Sequence, residues 1–162
     1  MNGEHQKRKE YYRYQEAYFK KFDGLLDGDT TGPRWLGQRA IAQLVLDSIR
    51  YRDGREYDLL ACCIMPNHVH MLVTVGRNDT PTYKAKPLFR ILQSLKRYTA
   101  REANKLLKRS GTFWQDESYD HVVRDNEELE RLFWYILFNP VKARLVESCE
   151  EWAWTWWKDE TP

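Results

Sequence analysis

Two histidines flank a single bulky residue in His68-Val69-His70, and their type and spacing could do chemistry. On a strand, alternate side chains share a face, so both imidazoles would project together. Side by side on a rigid strand they make half of a metal site. Tyr135 and Asn139 are spaced to lie one above the other on a helix. If that helix face looks at the histidines, a phenol, an amide oxygen and two imidazoles converge. That donor set suits a hard or borderline divalent ion with positions open to water and phosphate. Such an ion polarises a phosphodiester, and a phenol with an ordinary pKa of about 10 needs that help, or a nearby base, to attack phosphorus. Spacing alone leaves bland alternatives open. Paired histidines also occur as satisfied polar groups, and a tyrosine on a helix is more often core or surface.

The elements that must position these residues follow from periodicity. Val69, Met71, Val73 and Val75 alternate with His68, His70, Leu72 and Thr74, which predicts a strand with the odd set in a core. Glu56 to Met65 predicts the preceding strand, with Tyr57, Leu59, Ala61 and Cys63 on one face and Asp58, Leu60, Cys62 and Ile64 on the other. Pro66-Asn67 is the turn of the resulting antiparallel hairpin. Helical spacing predicts helices over Gln6 to Leu26, about Gln38 to Tyr51, and about Pro87 to Leu107. The third of these should bury Leu88, Ile91, Leu92, Leu95, Tyr98, Thr99, Ala103 and Leu106. A further strand is expected around Asp120 to Val123. A last helix starts after an Asp125 cap and should stop near Phe138 or Asn139, because Pro140 follows. Trp152 to Trp157 reads as an irregular aromatic clamp over the core.

This order predicts an α+β protein, a ferredoxin-like split βαβ antiparallel sheet covered by helices, whose usual first strand is not visible. Residues 1–32 read as an N-terminal helix and loop, and 33–162 as the body of a single globular domain. The composition, with 31% charged residues, is that of an ordinary globular chain and excludes a disordered one. The sequence contains no apolar run of membrane-span length and no signal-peptide core. Three cysteines, an odd and sparse set, argue against a disulfide framework and fit a reducing cytoplasm.

A net charge of +2 identifies no partner, but its distribution is informative. Lys84, Lys86, Arg90, Lys96, Arg97, Arg101, Lys105, Lys108 and Arg109 fall in one stretch opposed by Glu102 alone. A basic helix face of this kind suits DNA phosphates, or is simply solvated. Zinc on Cys62, Cys63, His68 and His70 is disfavoured, because adjacent strand cysteines point to opposite faces. Tyr98 and Tyr119 are rival nucleophiles that rank below Tyr135. Asp120 and His121 receive no role.

The motifs are specific enough to name a resemblance. Ile64-Met65-Pro66-Asn67-His68-Val69-His70-Met71-Leu72-Val73 resembles the signature of the single-tyrosine HUH transposases. Tyr135-Ile136-Leu137-Phe138-Asn139-Pro140-Val141-Lys142-Ala143 resembles the tyrosine motif of one branch, the REP-associated tyrosine transposases. Phe113-Trp114-Gln115, Tyr119-Asp120-His121 and Trp152-Ala153-Trp154-Thr155 resemble further segments of that branch. The resemblance implies cleavage and rejoining of single-stranded DNA near a hairpin, through a 5′-phosphotyrosine. It implies Tyr135 as nucleophile, His68 and His70 as ligands of Mg2+ or Mn2+, and Asn139 in the place of a glutamine ligand. Arg90, Lys96, Arg97, Arg101, Lys105 and Lys108 are the expected DNA contacts. The missing first strand implies a shortened chain, or a sheet completed some other way, such as by a second copy. Relatives act as dimers or monomers. A binder of structured DNA that no longer cuts is the alternative.

Overall fold

The computed structural model describes residues 20, 32–76, 86–116 and 118–159. The helix expected over Gln6 to Leu26 lies outside these residues except for Lys20, as does Lys84. A 3-10 turn at Trp35–Gly37 leads into α1 (Arg39–Arg52). Then come β1 (Asp58–Ile64), β2 (Val69–Thr74), α2 (Leu88–Leu106), α3 (Asn126–Lys142), a 3-10 turn at Cys149–Glu151, and β3 (Thr155–Trp157). The class is therefore mixed α+β. Among the described residues no helix is long and apolar enough to cross a membrane.

The sheet is antiparallel, in the order β2-β1-β3. β1 is covered on both faces, which is why it reads as a nearly unbroken apolar run from Leu59 to Met65. One face packs Leu59, Cys62, Ile64, Val69, Met71 and Val73 against Ile41, Val45 and Ile49 of α1 and Ile91, Leu95 and Ala103 of α2. The other packs Ala61, Cys63, Met65 and Leu72 against Leu132, Phe133, Tyr135 and Ile136 of α3. Strict alternation had placed Leu59 and Ala61 on one face. The ladder instead shifts register between them, Leu59 pairing with Val73 and Ala61 with Leu72. That irregularity puts one extra residue in β1 and reverses the phase of everything after it.

Two strand expectations need correction. Asp120 to Val123 forms no strand, and Val122 is 83% exposed. The sheet position beside β1 is taken by the tail, where Thr155, Trp156 and Trp157 pair with Cys63, Cys62 and Ala61. The tail is thus an edge strand as well as an aromatic clamp. Trp154 and Trp156 pack on the α1–α2 side and Trp152 and Trp157 on the α3 side. The Trp152 indole donates to the Ile64 carbonyl at 3.0 Å, closing the sheet end.

The helices differ from expectation in two ways. On α2 the buried stripe is narrow, made of Ile91, Leu95, Thr99 and Ala103 at steps of four. Tyr98 and Leu106, expected in the core, are 43% and 56% exposed because they lie off that row. On α3, Pro140 does not stop the helix, which runs on to Lys142. Proline removes one N–H and costs a helix interior about 3 kcal/mol. Here Pro140 itself is buried, and the end is closed by a Schellman motif. Arg144 N–H donates to the Val141 carbonyl and Leu145 N–H to the Pro140 carbonyl, both at 2.9 Å.

Arg144 sits at φ 58°, in the left-handed region that a side chain disfavours. Arg144→Gly should therefore stabilise the protein by about 0.5–1 kcal/mol, after discounting glycine's freedom in the unfolded chain. Urea unfolding would show a higher midpoint at unchanged slope. An unchanged or lower midpoint would contradict this account of the cap.

Candidate metal and nucleophile site

His68 is the residue just before β2, and His70 is its second residue. The hairpin turn fixes both: Met65 N–H donates to the His68 carbonyl at 2.8 Å around Pro66-Asn67. His70 lies opposite Cys63, on the sheet face that receives α3. The two Nε2 atoms are 3.0 Å apart. His68 Nδ1 lies 2.7 Å from Asn67 Oδ1, an acceptor, so Nδ1 carries the proton and Nε2 presents a lone pair.

Both rings are held neutral. Burial, assisted by the Lys142 ammonium, pushes the His68 pKa down to about 4. Burial, then His68 and Lys142, push His70 down to about 3. Neutral imidazole is the form that ligates metal. The 3.0 Å separation also equals that of neighbouring vertices of an octahedron with metal–nitrogen bonds of about 2.1 Å. The pair therefore fits a divalent ion. Among the described residues no third histidine, cysteine, aspartate or glutamate joins them. A further protein ligand among the described residues would be a neutral oxygen. The zinc alternative fails on the ground expected of it, since Cys62 and Cys63 enter opposite cores.

Tyr135 and Asn139 occupy the buried face of α3, at 1% and 3% exposure. The Tyr135 ring meets His70 edge-on, with centroids 5.5 Å apart at 73°. Asn139 Nδ2 donates to the Tyr135 carbonyl at 3.2 Å, which directs Oδ1 to any other partner. The sequence reading overlooked Lys142, whose Nζ lies over the Tyr135 ring at 5.9 Å from its centroid. Lys142 is one turn past Asn139, in the stretch of helix that Pro140 was expected to delete. No local signal marked that extra turn, because the burial of Asn139 and Pro140 is a tertiary outcome.

The basic residues lie elsewhere. α2 packs on α1, across the sheet from α3. Arg90, Arg97, Arg101 and Lys105 are exposed along its outer face. Arg101 and Lys105 both bind Glu102, at 2.8 and 3.1 Å, and hold its carboxyl below the usual range. Lys96 is half-buried and donates to the Gln115 carbonyl at 2.9 Å. Lys108 sits at φ 52° in the cap that ends α2. A groove of about 550 Å³ runs between α2 and residues 111–116, 118 and 120, lined by Phe89, Lys96, Arg97 and Trp114. It contains none of the histidine, tyrosine or asparagine residues above.

The unassigned and rival residues find places. His121 Nε2 contacts Glu128 Oε1 at 2.9 Å, while Glu128 Oε2 accepts the Arg124 N–H at 2.8 Å. Asp125 Oδ1 accepts the Glu128 N–H at 2.8 Å, so this cluster caps the start of α3. Tyr119 is 50% exposed outside any helix, and Tyr98 is on the α2 surface.

Residues 43–138 match the family described as Transposase IS200 like. The match takes in His68, His70 and Tyr135 and ends just short of Asn139. A relative from Haemophilus influenzae, named "Putative REP-associated tyrosine transposase", is 29% identical over 103 residues. That alignment covers 61% of this chain and 58% of the relative, so less than two thirds of the relative's length is represented. No solved structure gives a significant match.

Proposed function

We propose, since this chain belongs to the IS200-like transposase family, that it is a DNA transesterase acting on hairpin-bearing single strands. The observation that carries the reading is the Tyr135 ring lying edge-on to His70, 5.5 Å away, beside imidazole nitrogens 3.0 Å apart. In the forward step the Tyr135 oxygen bonds phosphorus and the bond to the 3′-oxygen breaks. The phenolic proton is released to solvent and the 3′-oxygen takes one up, leaving a 5′-phosphotyrosine and a 3′-hydroxyl. Joining reverses the exchange, so no external energy source is needed.

His68, His70 and the Asn139 oxygen would hold Mg2+ or Mn2+. When bound, that ion supplies charge to stabilise the phosphoryl transition state. Asn67 orients His68. Arg90, Lys96, Arg97, Arg101, Lys105 and Lys108 would take DNA phosphates, Arg101 and Lys105 less strongly because Glu102 already engages both. A split βαβ sheet would need one more strand than the three described, supplied by another part of the chain or a second copy.

A second reading is favoured by the burial of Tyr135, which at 1% exposure offers little surface to a phosphate. On that reading the chain grips structured single-stranded DNA and does not cut it. Incubation with labelled hairpin DNA and Mn2+, followed by a denaturing gel, separates the two. The transesterase should give a protein–DNA band that EDTA abolishes. Salt-sensitive binding with no such band would leave only the binder.

A further inference from the structure

Within the transesterase reading, on which this step rests, we infer that Lys142 is a further catalytic group. Its ammonium contacts the non-bridging oxygens of the phosphate that Tyr135 attacks. Lys142 is two turns beyond Tyr135 on α3, and its Nζ sits 5.9 Å from the Tyr135 ring centroid. One cation thus lies over the ring that also meets His70.

The position has a chemical use. A phosphoryl group under attack gathers negative charge on its equatorial oxygens. The imidazoles and the Asn139 amide are neutral, so of these side chains only Lys142 brings charge of the opposite sign. The Val141 and Pro140 carbonyls are engaged by the N–H groups of Arg144 and Leu145, and the helix dipole would be served by a lysine on any face of that turn. Lys142 is exposed, so its flexible stem can bring the ammonium to an incoming strand.

A 5′-phosphate on an oligonucleotide carries the group that becomes the phosphotyrosine, and it tests the contact without chemistry. The probes are 5′-phosphorylated and 5′-hydroxyl oligothymidylate of about six nucleotides, bound to the Tyr135→Phe protein in EDTA. The phosphorylated form should bind about tenfold tighter, the gain of one charge-assisted contact. Adding Lys142→Ala should erase that preference, and Lys142→Arg should keep it. A preference that survives Lys142→Ala, or is absent from the start, overturns the inference.

The adduct gel with Tyr135 intact separates this from the parent reading. Lys142→Ala should slow adduct formation about a hundredfold at saturating DNA, and Lys142→Arg should restore much of the rate. Adduct from the unsubstituted protein, with a phosphate preference indifferent to Lys142, sinks only the lysine. No adduct, with a preference lost in Lys142→Ala, sinks cleavage and leaves the phosphate contact standing.

Discussion

Tyr135→Phe will form no covalent bond with DNA, while its affinity for a hairpin-bearing strand stays within about twofold of the unsubstituted protein. The substitution removes one oxygen and keeps the ring, which packs against His70 and within the α3 side of the core. Stability should change by no more than about 1 kcal/mol, the worth of a typical hydrogen bond. Thermal unfolding should therefore show a folded protein at the temperature of the assay. Loss of the adduct is then chemical and not a packing defect. An adduct that persists would point to Tyr98 or Tyr119, which are 43% and 50% exposed, and would remove Tyr135 from the mechanism.

The second large effect concerns the histidines and acid. Their folded pKa values, about 4 and about 3, lie below the unfolded value of 6.5. Below pH 6.5 the unfolded chain therefore binds protons that the folded chain refuses, and stability falls as pH falls. Each histidine contributes a slope of about 1.4 kcal/mol per pH unit, ending near its folded pKa. The total by pH 4 is several kcal/mol, a large share of the 5–15 kcal/mol that holds a typical domain together.

The melting temperature should fall steeply between pH 6.5 and 4. His70→Gln should flatten that fall, because glutamine does not titrate. At pH 6, Mn2+ should raise the melting temperature of the unsubstituted protein, since the ion binds the deprotonated pair. It should do little for His68→Gln or His70→Gln, and both variants should lose adduct formation by about a hundredfold or more. A melting temperature level across this pH range would show that the pair is not buried neutral, and an equal Mn2+ response in His70→Gln would show that it is not a ligand set.

Much of the site was legible because its signals are local. His-x-His on an alternating run fixes both imidazoles to one face whatever the strand packs against. The Asp125 cap and helical spacing place Tyr135 and Asn139 on one stripe of α3. The boundaries of α1 and α2 also came from local periodicity, and the structure differs from them by a residue. The expected helix over Gln6 to Leu26 is not among the described residues that could test it.

What local pattern could not supply came from pairing and packing over distance. The irregularity after Leu59 exists only relative to β2, so alternation along β1 alone assigned Ala61 to the wrong side. The tail became a strand because β1 had an open edge for it, a partner that the tail's own residues cannot announce. Asp120 to Val123 has the residue types of a strand and no pairing partner among the described residues.

The sequence by itself determined which groups could ligate and attack, because side-chain chemistry and short-range periodicity are properties of neighbouring residues. Tertiary structure decided that α3 lies on the histidine face, and that the basic face of α2 lies across the sheet. It also carried α3 through Pro140, where burial of the proline and a closed Schellman cap offset one missing hydrogen bond. That last turn delivers Lys142 to the phenol, an outcome of the balance between a local helix penalty and distant packing.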